Sequence, residues 1–101
     1  MRMLLNAFFP LEPFSTLVRE GTAGKVINEI MEAIKPEAAY FVEQQGSRCA
    51  VLVVNLKDPS QLPAIAEPLF LKLNARCEFH PAMLPEDLAK ADLENLGRRW
   101  R

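Results

Sequence analysis

The stretch Ala38-Ala39-Tyr40-Phe41-Val42-Glu43-Gln44-Gln45-Gly46-Ser47-Arg48-Cys49-Ala50-Val51-Leu52-Val53-Val54-Asn55-Leu56 holds two runs of aromatic and β-branched residues around one short polar break. Such residues fit a pleated, half-buried surface, so Ala38 to Glu43 and Arg48 to Leu56 read as strands. Between them Gly46 can supply a positive φ, which a tight hairpin turn requires. Counting across that turn sets Glu43 opposite Arg48, where an ion pair near the tip would help hold the register. One face of the hairpin then carries Ala39, Phe41, Ala50, Leu52, Val54 and Leu56. The other carries Tyr40, Val42, Cys49, Val51, Val53 and Asn55. An antiparallel sheet with one wet face alternates apolar with polar. This hairpin is apolar on both sides, so both sides need a cover.

On the N-terminal side, Met3 to Phe9 is an apolar run closed by Pro10 and reads as a strand. After Pro13, residues Leu17, Val18, Val26, Ile27, Ile30, Met31 and Ile34 recur at helical spacing up to Lys35-Pro36. Gly21 and Gly24 lie inside that pattern, so Arg19 to Lys25 is the expected break between a short turn and a longer helix. On the C-terminal side, Asp58-Pro59-Ser60-Gln61 is a helix start, with Asp58 as cap and Gln61 at the reciprocal position. Leu62, Ile65, Ala66, Leu69, Phe70 and Leu73 form its apolar stripe, interrupted by Pro68, where a kink is expected. Cys77 to Met83 is a fourth strand, and Pro81 assigns it to an edge. Pro85-Glu86-Asp87 opens a short final helix carrying Leu88, Leu93 and Leu96, with Gly97 as its expected stop. The order βαββαβ plus a C-terminal helix predicts an α+β, ferredoxin-like domain over residues 1–101. It has a four-stranded antiparallel sheet with both long helices on one face.

Composition narrows the function. A chain of 101 residues, half hydrophobic and a quarter charged, can bury a core without a metal or disulfide staple. A net charge of −1 gives no global field for a polyanion. No apolar run approaches the ~18 residues of a membrane span. The opening MRMLLNAFFPLEP is too short and too Pro-interrupted for an export signal and has no small-residue cleavage site. The expected compartment is therefore the cytoplasm, with Cys49 and Cys77 as reduced core thiols. The patterns CxxC, HExxH and GxSxG are absent, and Gly21-Thr22-Ala23-Gly24 lacks phosphate-loop spacing, so no metal or cofactor is expected.

The second sheet face is the informative feature. Its area is roughly 400 Å², for four strands about 4.8 Å apart and about 20 Å long. A second copy of the chain is the simplest cover, because a two-fold contact lets one surface serve both sides. The alternative is the C-terminal helix folding back, although Leu88, Leu93 and Leu96 make only a thin stripe. The strand order, the length, the two-sided hairpin and the final helix resemble the dimeric α/β-barrel superfamily. The stretch EGTAGKVINEIMEAIKPEAAYFVEQQG is similar to small bacterial proteins of that kind. The resemblance implies a homodimer but carries no catalytic motif, since members include cofactor-free monooxygenases, isomerases, haem-degrading enzymes and proteins without activity.

Two functional expectations follow. One is a non-catalytic homodimeric binding or accessory module. The other is a cofactor-free, monooxygenase- or isomerase-like enzyme, or a binder of a small apolar ligand, with a cavity between sheet and helices or between subunits. For the second, His80 is the one side chain that ordinarily titrates near neutral pH. Asn6, Tyr40 and Asn55 are the polar groups that alternation places on the second face, either paired to one another or turned to a ligand. Arg98-Arg99-Trp100-Arg101 is too small a basic cluster for nucleic acid or membrane. Its expected role is Trp100 docking on the domain or on a partner.

Overall fold

In the computed structural model, which describes residues 1–101, the hairpin forms from β2 (Ala38–Gln44) and β3 (Ser47–Asn55). Its turn is two residues long. Gln45 and Gly46 both take positive φ, 55° and 73°, the signs of the turn that matches strand twist. Glu43 does pair with Arg48 in register. The ion pair does not form, because Arg48 turns its guanidinium over the Phe14 ring, 4.7 Å from the centroid, and donates to the Ser15 hydroxyl at 3.0 Å.

Strand β1 (Arg2–Phe9) lies beside β3, and β4 (Arg76–Pro81) pairs with β1 alone, so the sheet order is β2-β3-β1-β4 and wholly antiparallel. Pro81 thus sits at the end of an edge strand, where its missing donor costs no ladder bond. The expected break in the first helical stretch falls at Gly21-Thr22, between α1 (Phe14–Glu20) and α2 (Ala23–Ile34). Gly21 takes φ 75° there and its N–H caps the α1 carbonyls of Leu17 and Val18. A 3₁₀ turn (Pro59–Gln61) leads into α3 (Leu62–Leu73). Asp58 accepts from the Ser60 N–H at 2.8 Å, and the Ser60 side chain and that N–H together hold its carboxyl below the ordinary value. Gln61 accepts from the Lys57 N–H at 2.8 Å.

Met3, Leu5, Ala7 and Phe9 of β1 and Ala50, Leu52 and Val54 of β3 form one core with Ile30 of α2 and Ile65, Leu69 and Leu73 of α3. Both long helices therefore cover the same face. Cys77 packs at the margin of this core, while Cys49 is buried on the opposite side of the sheet, next to Phe8.

The C-terminal segment departs from expectation. It is two helices, α4 (Pro85–Ala91) and α5 (Leu93–Trp100), separated by Asp92 at φ 56°. The chain runs helical through Gly97, so Gly97 is no stop. Asp87 accepts the Leu84 N–H at 2.8 Å and caps α4. Every residue from Met83 onward is exposed. The chain measures 59 Å along its longest axis with a radius of gyration of 17.0 Å, where a compact chain of ~100 residues has about 13 Å. The segment projects from the body and does not cover the sheet. No helix is long and apolar enough to cross a membrane.

Candidate functional site on the open sheet face

Residues paired across antiparallel strands point to the same side, and side chains alternate along each strand. The registers therefore build the face without helices in rows from β2 to β4. These rows are Ala38, Val53, Leu4 and His80; Tyr40, Val51, Asn6 and Glu78; and Val42, Cys49, Phe8 and Arg76. Arg2 and Asn55 pair beyond the first row. All four polar candidates, His80, Asn6, Tyr40 and Asn55, thus share this face.

They do not converge. Asn6 and Tyr40 share a row but stand two strands apart, about 10 Å. Asn55 is occupied locally, since its side-chain oxygen accepts from the Met1 ammonium at 3.1 Å. His80 is 56% exposed, with Nε2 3.7 Å from Glu78 Oε1. None of the main clefts is lined by His80, Asn6 or Tyr40. Asn55 and Arg2 line a cleft of about 440 Å³ with Met1, Met83, Leu84 and Asp87, and a second cleft of about 360 Å³ lies at the hairpin end between Phe9, Phe14, Phe41, Val42 and Arg48. No three His, Cys, Asp or Glu side chains are grouped to hold a metal.

The sequence reading missed Arg76 and Glu78. They stand on the same face as His80, and the Glu78 carboxylate takes a charge-assisted bond from Arg76 while facing the imidazole. The alternation Arg76-x-Glu78-x-His80 is the signal that reveals them once the parity of β4 is known. Arg76 also lies over Phe8, 4.2 Å from the ring centroid, which explains how a phenylalanine on an uncovered face is buried. At the end of the face, Arg2 Nε meets Glu37 Oε2 at 2.9 Å, and that bond holds the guanidinium above its ordinary value. An apolar centre of Leu4, Val51 and Val53 is therefore bordered by ionic groups on two sides and by the exposed Tyr40 and Val42 on a third. A flat apolar centre with a polar border suits docking of a large surface and encloses no small substrate.

Neither thiol is chemically poised. Burial pushes Cys77 up to about 11 and also raises Cys49, so both are neutral near pH 7. A scan against protein families and a search of curated proteins return no match for this chain.

Proposed function

We propose that this chain is a ferredoxin-like domain of the dimeric α/β-barrel type. Two copies close their open sheet faces on each other, and the pair acts as a non-catalytic binding or accessory module in the cytoplasm. The observation that carries the reading is the bare apolar centre, Leu4, Val51 and Val53, which the chain's own C-terminal helices leave uncovered. The strand order β2-β3-β1-β4, with both long helices on the opposite face, is what two interleaved βαβ units produce. Sedimentation equilibrium at micromolar concentration is the test. Twice the 11.4 kDa chain mass supports the reading, and a clean monomer defeats it.

A second reading, a small-molecule site closed between the two sheets, has one observation in its favour. Arg76, Glu78 and His80 form a polar strip beside Asn6 on an otherwise apolar surface. Such a strip can orient a small polar group against an apolar wall. Ligand-observed NMR with small carboxylic acids and amides, repeated on His80→Ala, separates the two. Binding that disappears in the variant favours this second reading, and no binding to either protein favours the module.

A further inference from the structure

Beyond the sheet face, the chain carries a second apolar surface without a partner. Met83, Leu84, Leu88, Leu93, Leu96 and Trp100 are all exposed, Trp100 to 73%. Leu93, Leu96 and Trp100 recur at i, i+3 and i+7 along one side of α5, with Glu94, Asn95, Arg98 and Arg99 on the rest. Every hydrogen bond the side chains of α4 and α5 make is local to the segment, such as Arg98 to Asn95 at 2.6 Å. Isolated helices shorter than ~12 residues are marginal in water, and these two have seven and eight. They need a surface to lie on.

We infer that residues 83–101 form an arm that docks on a second copy of this chain, along the β2 rim of its open face. The inference rests on the face-to-face dimer proposed above, and three observations select this occupant. The first is area. The sheet face offers roughly 400 Å² per copy, short of the about 800 Å² per partner of a stable interface. Six apolar side chains of the arm add roughly 500 Å², and the sum reaches what a dimer needs. The second is symmetry. A two-fold axis across the strands would stack the β4 strips of the two copies, bringing Glu78 against Glu78. An axis along the strands sets β4 of one copy over β2 of the other and avoids that repulsion. The arm continues directly from β4 beyond His80, so it arrives at the Ala38 end of the partner's β2 and runs back along that strand. The third is what waits there. Tyr40 and Val42 stand 63% and 41% exposed, and Glu43 beside them pairs with no cation, just as Arg98, Arg99 and Arg101 pair with no carboxylate.

The chain contains one tryptophan, on the arm, and one tyrosine, on the rim, which makes the test spectroscopic. Trp100 emission should shift to the blue as concentration rises through the dimer range. Mixing Tyr40→Phe with Trp100→Phe should give tyrosine-sensitised tryptophan emission, because only a mixed dimer then brings the two fluorophores together. Leu93→Glu with Leu96→Glu should remove both signals and raise the dimer dissociation constant at least about tenfold. A blue shift independent of concentration, without transfer in the mixture, means the arm folds on its own sheet and overturns the inference. Water-like Trp100 emission in a solution shown by mass to be dimeric overturns the arm alone and leaves the sheet reading standing. If instead the arm variant dissociates the dimer and Val53→Glu does not, the arm stands and the sheet reading falls.

Discussion

Val53→Glu is the substitution that weighs the sheet interface directly. Val53 is half-buried in the single chain, between Ala38 and Leu4 on the open face, and its side chain reaches no helix. In one copy the change costs no more than about 1 kcal/mol, the range of strand preference. In a two-fold dimer two carboxylates enter the apolar centre together. The least costly escape at pH 7 is to protonate them, which takes about 3.7 kcal/mol for each glutamic acid from its ordinary value near 4.3. The pair therefore weakens association by about 7 kcal/mol, roughly five decades in dissociation constant. Burial of both faces, roughly 800 Å² in all, gives a gross gain of about 20 kcal/mol at 25 cal/mol per Å². Association itself costs about 4–15 kcal/mol, which leaves a surplus of about 5–16 kcal/mol, so such a loss removes roughly half of it or more. Sedimentation should show a dimer for the native chain and a monomer for the variant at micromolar concentration, with circular dichroism and melting little altered. Below pH 4.3 the variant's carboxyls are already neutral in the monomer, so much of the association should return. A variant that dimerises as tightly as the native chain at pH 7, or one equally monomeric at pH 4 and pH 7 while the native dimer persists, would refute the reasoning.

Leu69 is fully buried where α3 meets the sheet. Leu69→Ala should cost about 2–5 kcal/mol in thermal or urea unfolding, and a loss under 1 kcal/mol would mean α3 does not pack there. For the Cys77 thiol, raised by burial from an ordinary 9.0 to about 11, alkylation should accelerate about tenfold per pH unit from pH 8 to 10 without a plateau. Because the folded value lies above the unfolded one, stability is full below pH 9 and declines as pH rises from about 9 to about 11; Cys77→Ala should flatten that decline. His80→Ala should leave melting within about 0.5 kcal/mol of the native chain, as expected for an exposed side chain. A large loss there would assign His80 a structural bond absent from the single chain.

What was legible in the sequence was local. Alternation within residues 38–56, Gly46 at a positive φ, Gly21 between two helical runs and Pro81 in an edge strand each state their structural reason in a few adjacent residues. The misreadings came from interactions that span the chain. Arg48 lies opposite Glu43, as counted, but its guanidinium finds Phe14 and Ser15, thirty-odd residues away, and an aromatic face outcompetes an exposed carboxylate. The trio Arg76, Glu78 and His80 was written plainly at every second position, yet its face depends on how β4 pairs with β1, a contact some seventy residues long. In the C-terminal segment Gly97 looked like the stop, because glycine is the usual residue there. The break came instead at Asp92, whose short polar side chain tolerates the left-handed conformation.

The two edges of the sheet differ in a way that bears on how the molecule lives in solution. A bare edge strand offers unpaired N–H and C=O groups to any other chain, and proteins blunt it with charge, proline or a cover. Edge strand β4 has the first two devices, with Arg76, Glu78 and His80 along its open side and Pro81 at its end. Edge strand β2 has neither along most of its length: Ala38, Ala39, Tyr40, Phe41 and Val42 precede its first charge, Glu43, and Tyr40, Phe41 and Val42 are exposed. A chain that protects one edge with side chains and leaves the other apolar relies on a cover for the second. One apolar segment with no place on its own domain is the arm that leaves from the protected edge. In the proposed dimer, exchange of that arm would cover each bare edge once and close the assembly at two.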